Sequence, residues 1–429
     1  MNILVKDCFI LSDDRDLVDR GDIAIEGDHL IAVGTAGETP MGWQPEQIID
    51  GSDHLCMPGL INCHTHVGMT LLRGYADDLS LMEWLETKIW PVEDRMTGED
   101  VYWASLLAII EMIKSGTTTF NDQYFYMEDV ARAVAETGIR AVLARGLAGI
   151  GQSAERGLEE SRSLIERWQG GASGRITVWL GPHAPYTCPP EYLERVLQLA
   201  EEFQVGLHIH ISETIDEVEQ IKGQYGKTPV KYLNDLGVFQ FPVLAAHCVH
   251  LTDDDLALLA DGRVAVAHNP ESNMKLASGA APVVAMRRAG IAVGLGTDGA
   301  ASNNNLDMFE EMRSAALLQK LVNQDARALP SHEALMMATR DGARALGLEN
   351  EVGVLKPGCK ADLILVDLNQ AHLCPRHKLV AQMVYSARGS DVDTVIIDGR
   401  LIMENRKMLT VDEETVRNEV ERRAERLTK

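Results

Sequence analysis

The sequence predicts an α/β fold, a (β/α)8 barrel of the TIM type with a small β-sandwich-like domain built from both chain termini. Eight short apolar segments alternate with helical segments through the middle of the chain, and β-rich segments precede and follow them. Such alternation favours a parallel sheet covered by helices, and eight units are typical of a closed barrel. An open doubly wound sheet is the competing fold, but no GxGxxG motif stands at the first strand–helix turn to support it.

The two ends of the chain have the composition of short strands separated by turn residues. Residues 1–56 contain NILVKDCFIL and DIAIEGDHLIAVG. Residues 361–429 contain ADLILVDL and VDTVIIDGRLIMENRKM before a charged helix, EETVRNEVERRAERL. We expect the two parts to pair into one composite β domain, with residues 57–360 forming the barrel between them.

The barrel strands are predicted to end at eight segments, most of them followed by a helical segment. They are GLINCHTH, GTTTFND, RAVLARGL, ITVWLGPHAPY, VGLHIHISE, PVLAAHCVH, RVAVAHNP and IAVGLGTDG. The helical segments have 3.6-residue apolar periodicity, for example in PEYLERVLQLAEEFQ and APVVAMRRAG. In barrels of this kind the carboxyl ends of the strands carry the active site.

Charge and composition limit the partners of this protein. The 429 residues carry a net charge of −24, from 40 lysines and arginines against 64 aspartates and glutamates. Such a surface repels nucleic-acid phosphates and anionic lipid heads, so neither a nucleic acid nor a membrane is expected as a partner. Seven dispersed cysteines without a CxxC pair indicate a reducing compartment. Without a signal-peptide pattern or a membrane-length apolar run, a cytoplasmic protein is expected, either monomeric or homo-oligomeric.

Ionisable side chains cluster at the carboxyl ends of six predicted strands. They are His64, His66, His183, Glu213, His247, His268 and Asp298. One such histidine is most often a hydrogen-bonded core residue, and His268 is assigned no chemistry. Seven ionisable groups at one end of a barrel nevertheless indicate a functional site.

The spacing of the histidines favours a metal centre. Alternate residues of a strand share a face, so His64 and His66 can bind one ion together. Imidazole suits zinc, iron or nickel better than magnesium or calcium. His210 lies nearer the strand end than His208 and is chosen as the third ligand, with His208 in a packing or supporting role. Asp298 completes the set, and a water in an exchangeable position would make the site catalytic.

Four motifs carry a resemblance to a known family. The segments PGLINCHTH, HIHISE, AAHCVH and GTDGAASNN resemble the amidohydrolase superfamily, a metal-dependent barrel with a composite β domain from both termini. Two-metal members usually bridge the ions with a carbamylated lysine after strand four, where this chain has GPHAPY. The resemblance therefore implies a mononuclear site holding one zinc ion per chain, with iron, nickel or manganese as alternatives.

Within that superfamily the chain is similar to the group that deaminates S-adenosylhomocysteine and 5′-methylthioadenosine. The similarity is carried by MEWLETKIWPVEDR, ARGL, GPHAPY and DGAASNN, and it implies a small-molecule adenosine derivative as the partner. It implies substrate-binding roles for Trp84, Glu93, Arg145, Arg156, His183 and Ser302. His183 and Ser302 would meet the purine edge and the sugar.

The resemblance also implies the other roles, and the chemistry of the residues agrees with them. Glu93 would accept hydrogen bonds from the ribose hydroxyls, and Trp84 would cover the adenine face or the thioether. Arg145 and Arg156 would hold the amino-acid carboxylate. The intervening segment GLAGIGQSAE is shorter than in the family, which weakens the transfer to Arg156. Purely structural roles also fit three of them: a helix-core residue for Trp84, and solvated helix charges for Glu93 and Arg156.

The implied chemistry, addition of water to an aromatic carbon and loss of ammonia, assigns catalytic roles to Glu213, His247 and Asp298. Glu213 follows a ligand by three residues and would move a proton from water to the ring nitrogen N1. His247 and Asp298 would orient the nucleophile, and Asp298 would assist proton transfer to the departing amine.

Three other functions remain open at this point. On the same scaffold, a guanine or pterin deaminase and a triazine hydrolase would use the same metal chemistry without a ribose or an amino-acid arm. A non-catalytic barrel is the remote third alternative, since such a protein would be expected to lose ligands that are all present here. The HxE…PCxxC signature of deaminases that act on nucleic-acid bases does not occur.

Overall fold

Two separate sheets organise the protein. The computed structural model describes residues 1–11, 18–34, 39, 42–150 and 154–429. The strands are β1 (Asn2–Leu11), β2 (Val18–Glu26), β3 (His29–Gly34), β4 (Gln47–Asp50), β5 (His54–Pro58), β6 (Leu60–Thr65), β7 (Thr117–Tyr124), β8 (Arg140–Leu147), β9 (Ile176–Pro182), β10 (Leu207–Ile211), β11 (Val243–His247), β12 (Ala265–His268), β13 (Val293–Leu295), β14 (Leu363–Asp367), β15 (Val392–Ile397), β16 (Arg400–Glu404) and β17 (Lys407–Met408).

Most helices lie between the strands of the middle region. They are α1 (Leu81–Trp84), α2 (Trp90–Glu93), α3 (Gly98–Lys114), α4 (Met127–Thr137), α5 (Ala154–Trp168), α6 (Gly171–Gly174), α7 (Pro190–Phe203), α8 (Ile215–Tyr225), α9 (Pro229–Asp235), α10 (Asp253–Asp261), α11 (Pro270–Lys275), α12 (Val283–Arg288), α13 (Met308–Asn323), α14 (Ser331–Met337), α15 (Arg340–Ala345), α16 (Leu379–Tyr385) and α17 (Glu413–Thr428). A π-helical segment, Leu85–Ile89, joins α1 to α2. Within the described ranges, no helix has both the length and the apolarity needed to cross a bilayer.

The strands β6 to β13 form a nearly closed parallel barrel. They are hydrogen-bonded in sequence order as an eight-stranded sheet. At the closure, the backbone N–H of Asp298, just after β13, donates to the carbonyl of His64 in β6 at 2.9 Å. The eight strands coincide with the eight predicted apolar runs, and the predicted fold class is confirmed.

Both faces of the barrel sheet are buried, which favours apolar residues in most of its strands, although β7 is largely polar. Along β8, Val142 and Ala144 pack in the barrel interior, whereas Leu143 and Leu147 pack in the layer between the barrel and its helices. Because side chains alternate along a strand, Arg145 shares the helix-facing side with these two leucines. The side chain of Arg145 therefore leaves β8 toward the surrounding helices and not toward the barrel interior.

The terminal sheet is built from both ends of the chain, as expected. Its order is β17-β16-β15-β14-β5-β1-β2-β3, and β4 pairs with β1. β14 runs antiparallel to β5, with Leu363 opposite Pro58 and Asp367 opposite His54. A hydrophobic core of its own, including Ile3, Ile23 and Leu363, covers this sheet. The boundaries after residues 56 and 360 stay a prediction.

The last helix packs against the barrel. α17 contacts α3, where the buried Asp100 carboxylate accepts hydrogen bonds from Arg423 at 2.9 Å and from Arg426 at 2.6 Å. Because the Asp100 carboxylate is buried, loss of these arginines would leave its charge unpaired, which costs more than the loss of a surface pair. The C-terminal segment therefore touches both the terminal sheet and the barrel.

Candidate active site

Four histidines and one aspartate converge at the carboxyl end of the barrel. The ring centroid of His64 lies 4.8 Å from that of His66, 4.9 Å from that of His210 and 5.4 Å from that of His247. Two overlapping triads have potential ligand atoms within 4.8 Å of one another, namely His64–His210–His247 and His64–His66–Asp298. The structure thus brings together the four predicted ligands and adds His247 to the same cluster.

Backbone carbonyls orient two of the imidazoles. Nδ1 of His66 lies 2.6 Å from the carbonyl oxygen of Gln123, and Nδ1 of His210 lies 2.7 Å from that of His183. A carbonyl oxygen only accepts, so each Nδ1 carries the hydrogen. In the neutral imidazole, Nε2 then keeps its lone pair, which is the tautomer that binds a metal.

The imidazoles of His64 and His247 are oriented by other side chains. Nδ1 of His64 lies 2.8 Å from Nε2 of His208, so His208 has the supporting contact expected of it. Nδ1 of His247 lies 2.9 Å from Oδ1 of Asn273. Burial lowers the pKa of His64 to about 3 and keeps this ring neutral. Its Nε2 is buried without a hydrogen-bond partner among the described residues.

Asp298 faces this cluster with one carboxylate oxygen. Oδ1 lies 3.1 Å from Nε2 of His66 and 3.4 Å from Nε2 of His64. Oδ2 accepts hydrogen bonds from the hydroxyls of Ser272 at 2.6 Å and Ser302 at 2.9 Å. Burial opposes ionisation, but the two histidines hold the pKa of Asp298 well below its usual range. The backbone at Asp298 is left-handed, with φ 60°, a conformation that functional sites tolerate at an energetic cost.

This donor set fits a divalent metal. A buried imidazole nitrogen without a partner is costly unless an ion or a water satisfies it. Imidazole nitrogens with one carboxylate suit zinc and its first-row neighbours. β9 ends at Pro182 and is followed by His183, so no lysine occupies that strand end. The ligand set His64, His66, His210 and Asp298 stays a prediction.

Glu213 lies beside the cluster and is buried. Its Oε2 is 3.7 Å from Nε2 of His247, and burial raises the pKa of its carboxyl. The buried Glu217 carboxylate fixes the loop, because it accepts the backbone N–H groups of Ser212 at 2.8 Å and Glu213 at 2.9 Å. A carboxyl whose pKa is moved toward neutrality is suited to accept and return a proton.

A cavity of about 320 Å³ opens from this cluster. Its lining includes four of the predicted substrate-binding residues, Trp84, Glu93, His183 and Ser302. It also includes His66, His210, Glu213, His247 and Asp298. The volume falls at the lower end of the range usual for small-molecule sites. The remaining walls are largely apolar, formed by Leu81, Leu85, Trp90, Phe125, Ile150 and Leu276.

Three of the predicted substrate-binding residues have defined contacts in this cavity. Glu93 accepts a hydrogen bond from the hydroxyl of Tyr124 at 2.6 Å, and burial raises its pKa to about 7. Trp84 is buried and donates from Nε1 to the carbonyl of Ala76 at 3.2 Å, which leaves its ring as a cavity wall. His183 lies 3.0 Å from the hydroxyl of Thr187 through Nδ1.

The two predicted arginines lie outside the cavity lining. Arg145 stacks its guanidinium 5.1 Å from the ring centroid of Phe125, and its Nε donates to Glu160 at 2.8 Å. Arg156 is exposed and its Nε donates to the other oxygen of Glu160 at 2.6 Å. Residues 151–153, within the short segment between the arginines, lie outside the described residues.

Sequence reasoning missed four residues that shape the site. Three of them hydrogen-bond to predicted residues: Tyr124 to Glu93, Glu160 to Arg145, and Glu217 to the backbone N–H of Glu213. The fourth, Tyr186, lines the cavity. Two signals were available, since Tyr186 ends the GPHAPY motif and Glu217 lies only four positions after Glu213. Tyr124 and Glu93 are joined only by tertiary structure.

Comparisons with known proteins agree with this geometry. A sequence model of the amidohydrolase family matches residues 55–402. The chain is 58% identical over 428 residues to the 5-methylthioadenosine/S-adenosylhomocysteine deaminase of Pelotomaculum thermopropionicum, covering 99% of each chain. It is similar to the structure of an adenosine deaminase from Xanthomonas campestris with bound zinc, at 35% identity, TM-score 0.96, and 99% and 98% coverage. It is also similar to an atrazine chlorohydrolase from Arthrobacter aurescens complexed with zinc, at 26% identity, TM-score 0.91, and 98% and 100% coverage.

Proposed function

Since the chain belongs to the amidohydrolase family and is a metal-dependent hydrolytic deaminase, we propose that it deaminates adenosine thioethers. The substrates would be S-adenosylhomocysteine, 5′-methylthioadenosine or both, and the products the corresponding inosyl compound and ammonia. The observation that supports this most is one cavity lined both by the cluster with Glu213 and by the half-buried Glu93. The cluster with Glu213 is suited to the attack of water on a ring carbon, and the Glu93 carboxylate is suited to accept hydrogen bonds from a ribose diol.

One zinc ion is proposed at the site, with His64, His66, His210 and Asp298 as its ligands. The buried nitrogen of His64 without a partner and the shared Nδ1–H tautomer of His66 and His210 support this set. When bound, such an ion lowers the pKa of a water molecule from about 15.7 toward about 7.

The chain's own residues then move the protons. Glu213 accepts one proton of the attacking water and returns it to ring nitrogen N1, which makes the amino-bearing carbon electrophilic. Nε2 of His247, whose Nδ1 lies 2.9 Å from Oδ1 of Asn273 and 3.2 Å from Nδ2 of Asn269, shares a hydrogen bond with the water and orients it. Asp298 passes the second water proton to the departing amino group, so that ammonia leaves.

Other residues, four of which line the same cavity, are assigned to substrate orientation. Glu93 accepts the two ribose hydroxyls, and the ring of Trp84 covers the adenine or the thioether. His183 and Ser302 meet the purine edge and the sugar. Arg145, which stacks on Phe125, and Arg156, which shares Glu160 with it, are assigned to the amino-acid arm of the longer substrate.

An ammonia-release screen with zinc-loaded enzyme tests the proposed function. The panel contains 5′-methylthioadenosine, S-adenosylhomocysteine, adenosine, guanine, a pterin and a chlorotriazine, the last scored by chloride release. We expect the highest kcat/KM for an adenosine thioether. A higher value for guanine, the pterin or the triazine would reject the proposal in favour of another heterocycle on the same scaffold.

The pKa of Glu93 predicts a pH dependence of substrate binding. Burial raises this pKa to about 7, so the carboxyl is largely neutral below that pH and ionised above it. The ionised form accepts stronger hydrogen bonds from the diol, so KM for 5′-methylthioadenosine should fall by up to about tenfold as the pH rises through this value.

The matching control is the 2′,3′-dideoxy analogue, which lacks both hydroxyls. Its KM should not follow this titration, and Glu93→Gln should remove the dependence for the normal substrate. An equal pH slope for the two nucleosides would mean that Glu93 does not bind the diol.

A further inference from the structure

Arg145 and Arg156 share one carboxylate at the rim of the barrel. Oε2 of Glu160 accepts from Nε of Arg145 at 2.8 Å, and Oε1 accepts from Nε of Arg156 at 2.6 Å. Arg145 comes from β8 and the other two residues from α5. Gly157 lies between them along α5, and a Cβ there would come within 3.9 Å of the Arg145 guanidinium. The helix therefore approaches Arg145 closely at this point.

The cluster of these three side chains keeps a positive charge. Two guanidinium groups face one carboxylate in a chain whose net charge is −24. Burial opposes ionisation of Glu160, but its bonds with Arg145 and Arg156 lower its pKa, so it is charged at neutral pH. A guanidinium has five N–H donors, and Arg156 uses only Nε within the described part of the chain. Donors remain for a second carboxylate.

The cluster borders the proposed substrate cavity. Phe125 and Gly146 both line the cavity. Arg145 stacks on the ring of Phe125 at 5.1 Å and donates to the carbonyl of Gly146. An arm extending from the sugar toward this wall would meet the Arg145 guanidinium next, and Arg156 is joined to Arg145 through Glu160.

We infer that Glu160 is a positioning residue that holds the guanidinium groups of Arg145 and Arg156 side by side as a receptor for the carboxylate of an amino-acid arm. It thereby sets the preference between S-adenosylhomocysteine and 5′-methylthioadenosine. This inference rests on the proposed function, because it concerns the same substrates. Without Glu160, the exposed Arg156 has no other fixed partner among the described residues, and it would lose rotamer freedom on binding the arm.

The test compares Glu160→Gln with Glu159→Gln, which removes the same charge from the neighbouring exposed position of α5. The readout is kcat/KM for S-adenosylhomocysteine divided by kcat/KM for 5′-methylthioadenosine. We expect Glu160→Gln to lower this ratio by about tenfold, which corresponds to about 1.4 kcal/mol, and Glu159→Gln to leave it unchanged. For the decarboxylated analogue of S-adenosylhomocysteine, the corresponding ratio should not fall.

A double-mutant cycle shows whether Glu160 acts through Arg156, whose only fixed partner among the described residues it is. In an Arg156→Gln background, Glu160→Gln should lower the ratio by much less than in the wild type. Thermal unfolding of each variant separates a folding defect from a selective one. Arg156→Gln, at an exposed position, provides a second variant that should lower the same ratio.

Each other outcome overturns the inference. A rise in the ratio would mean that Glu160 competes with the substrate carboxylate, and equal losses for both substrates would mean a purely structural role. If Glu160→Gln does not fold, an unchanged ratio in Arg156→Gln rejects the receptor. If the wild-type enzyme deaminates neither thioether, the proposed function itself fails, which is a distinct result.

Discussion

Glu213→Gln is expected to retain the metal and lose turnover by about 10²- to 10⁴-fold, the usual contribution of a general acid–base residue. Glutamine is nearly isosteric with glutamate but cannot accept and return a proton. Glu217 accepts its two hydrogen bonds from the backbone N–H groups of Ser212 and Glu213, so they survive the change and keep the loop in place. Activity should fall in kcat, with little change in the melting temperature.

The measurement pairs steady-state kinetics with elemental analysis. Glu219→Gln is the matched control, because it makes the same change at an exposed position of α8. It should keep both metal and activity. If Glu213→Gln turns over at nearly the wild-type rate, Glu213 has no part in the chemistry. If it loses the metal, the loss of activity has another cause.

The second large effect concerns the metal itself. His66→Ala is expected to lower the bound metal and to reduce turnover at least as much as Glu213→Gln does. The reason is the fixed geometry of His66, whose Nδ1–H donates to Gln123 and whose Nε2 lies 3.1 Å from Asp298. Removing it leaves two histidines and a carboxylate, a weaker ligand set for zinc.

Chelation gives the complementary experiment on the wild-type enzyme. A strong chelator should abolish deamination, and added zinc should restore it, whereas zinc should not rescue His66→Ala. His377→Ala, at an exposed position, serves as the control substitution and should behave like the wild type. Full activity of wild-type enzyme that contains no metal would reject the proposed metal centre.

The barrel and its metal-binding end were predictable because both depend on local patterns. Alternation along a strand placed His64 and His66 on one face, and the apolar runs located all eight strands. The hydrogen-bond partners that orient the residues of the site could not be predicted from such patterns. His247 is oriented by Asn273, 26 positions later, and Glu93 is fixed by Tyr124, 31 positions later. No periodicity connects such pairs.

The side of β8 on which Arg145 lies could be predicted from the alternation of side chains along the strand. Its position near the carboxyl end of the strand does not by itself indicate that side. The parity of Leu143 and Leu147 puts Arg145 on the helix-facing side of β8, away from the interior of the barrel. Its partner Glu160 follows Arg156 by one helical turn, which the sequence indicates. The bond between Glu160 and Arg145 joins different elements and depends on how α5 packs on β8.

Because the two chain ends share one sheet, part of that sheet can form only late in translation. β5 receives its neighbour β14 only after the whole barrel region has been translated. Until then its edge carries unpaired N–H and C=O groups, the kind of surface that recruits other chains. A nascent chain that stalls before residue 363 would therefore present a template for aggregation, and rapid completion of the polypeptide protects against it.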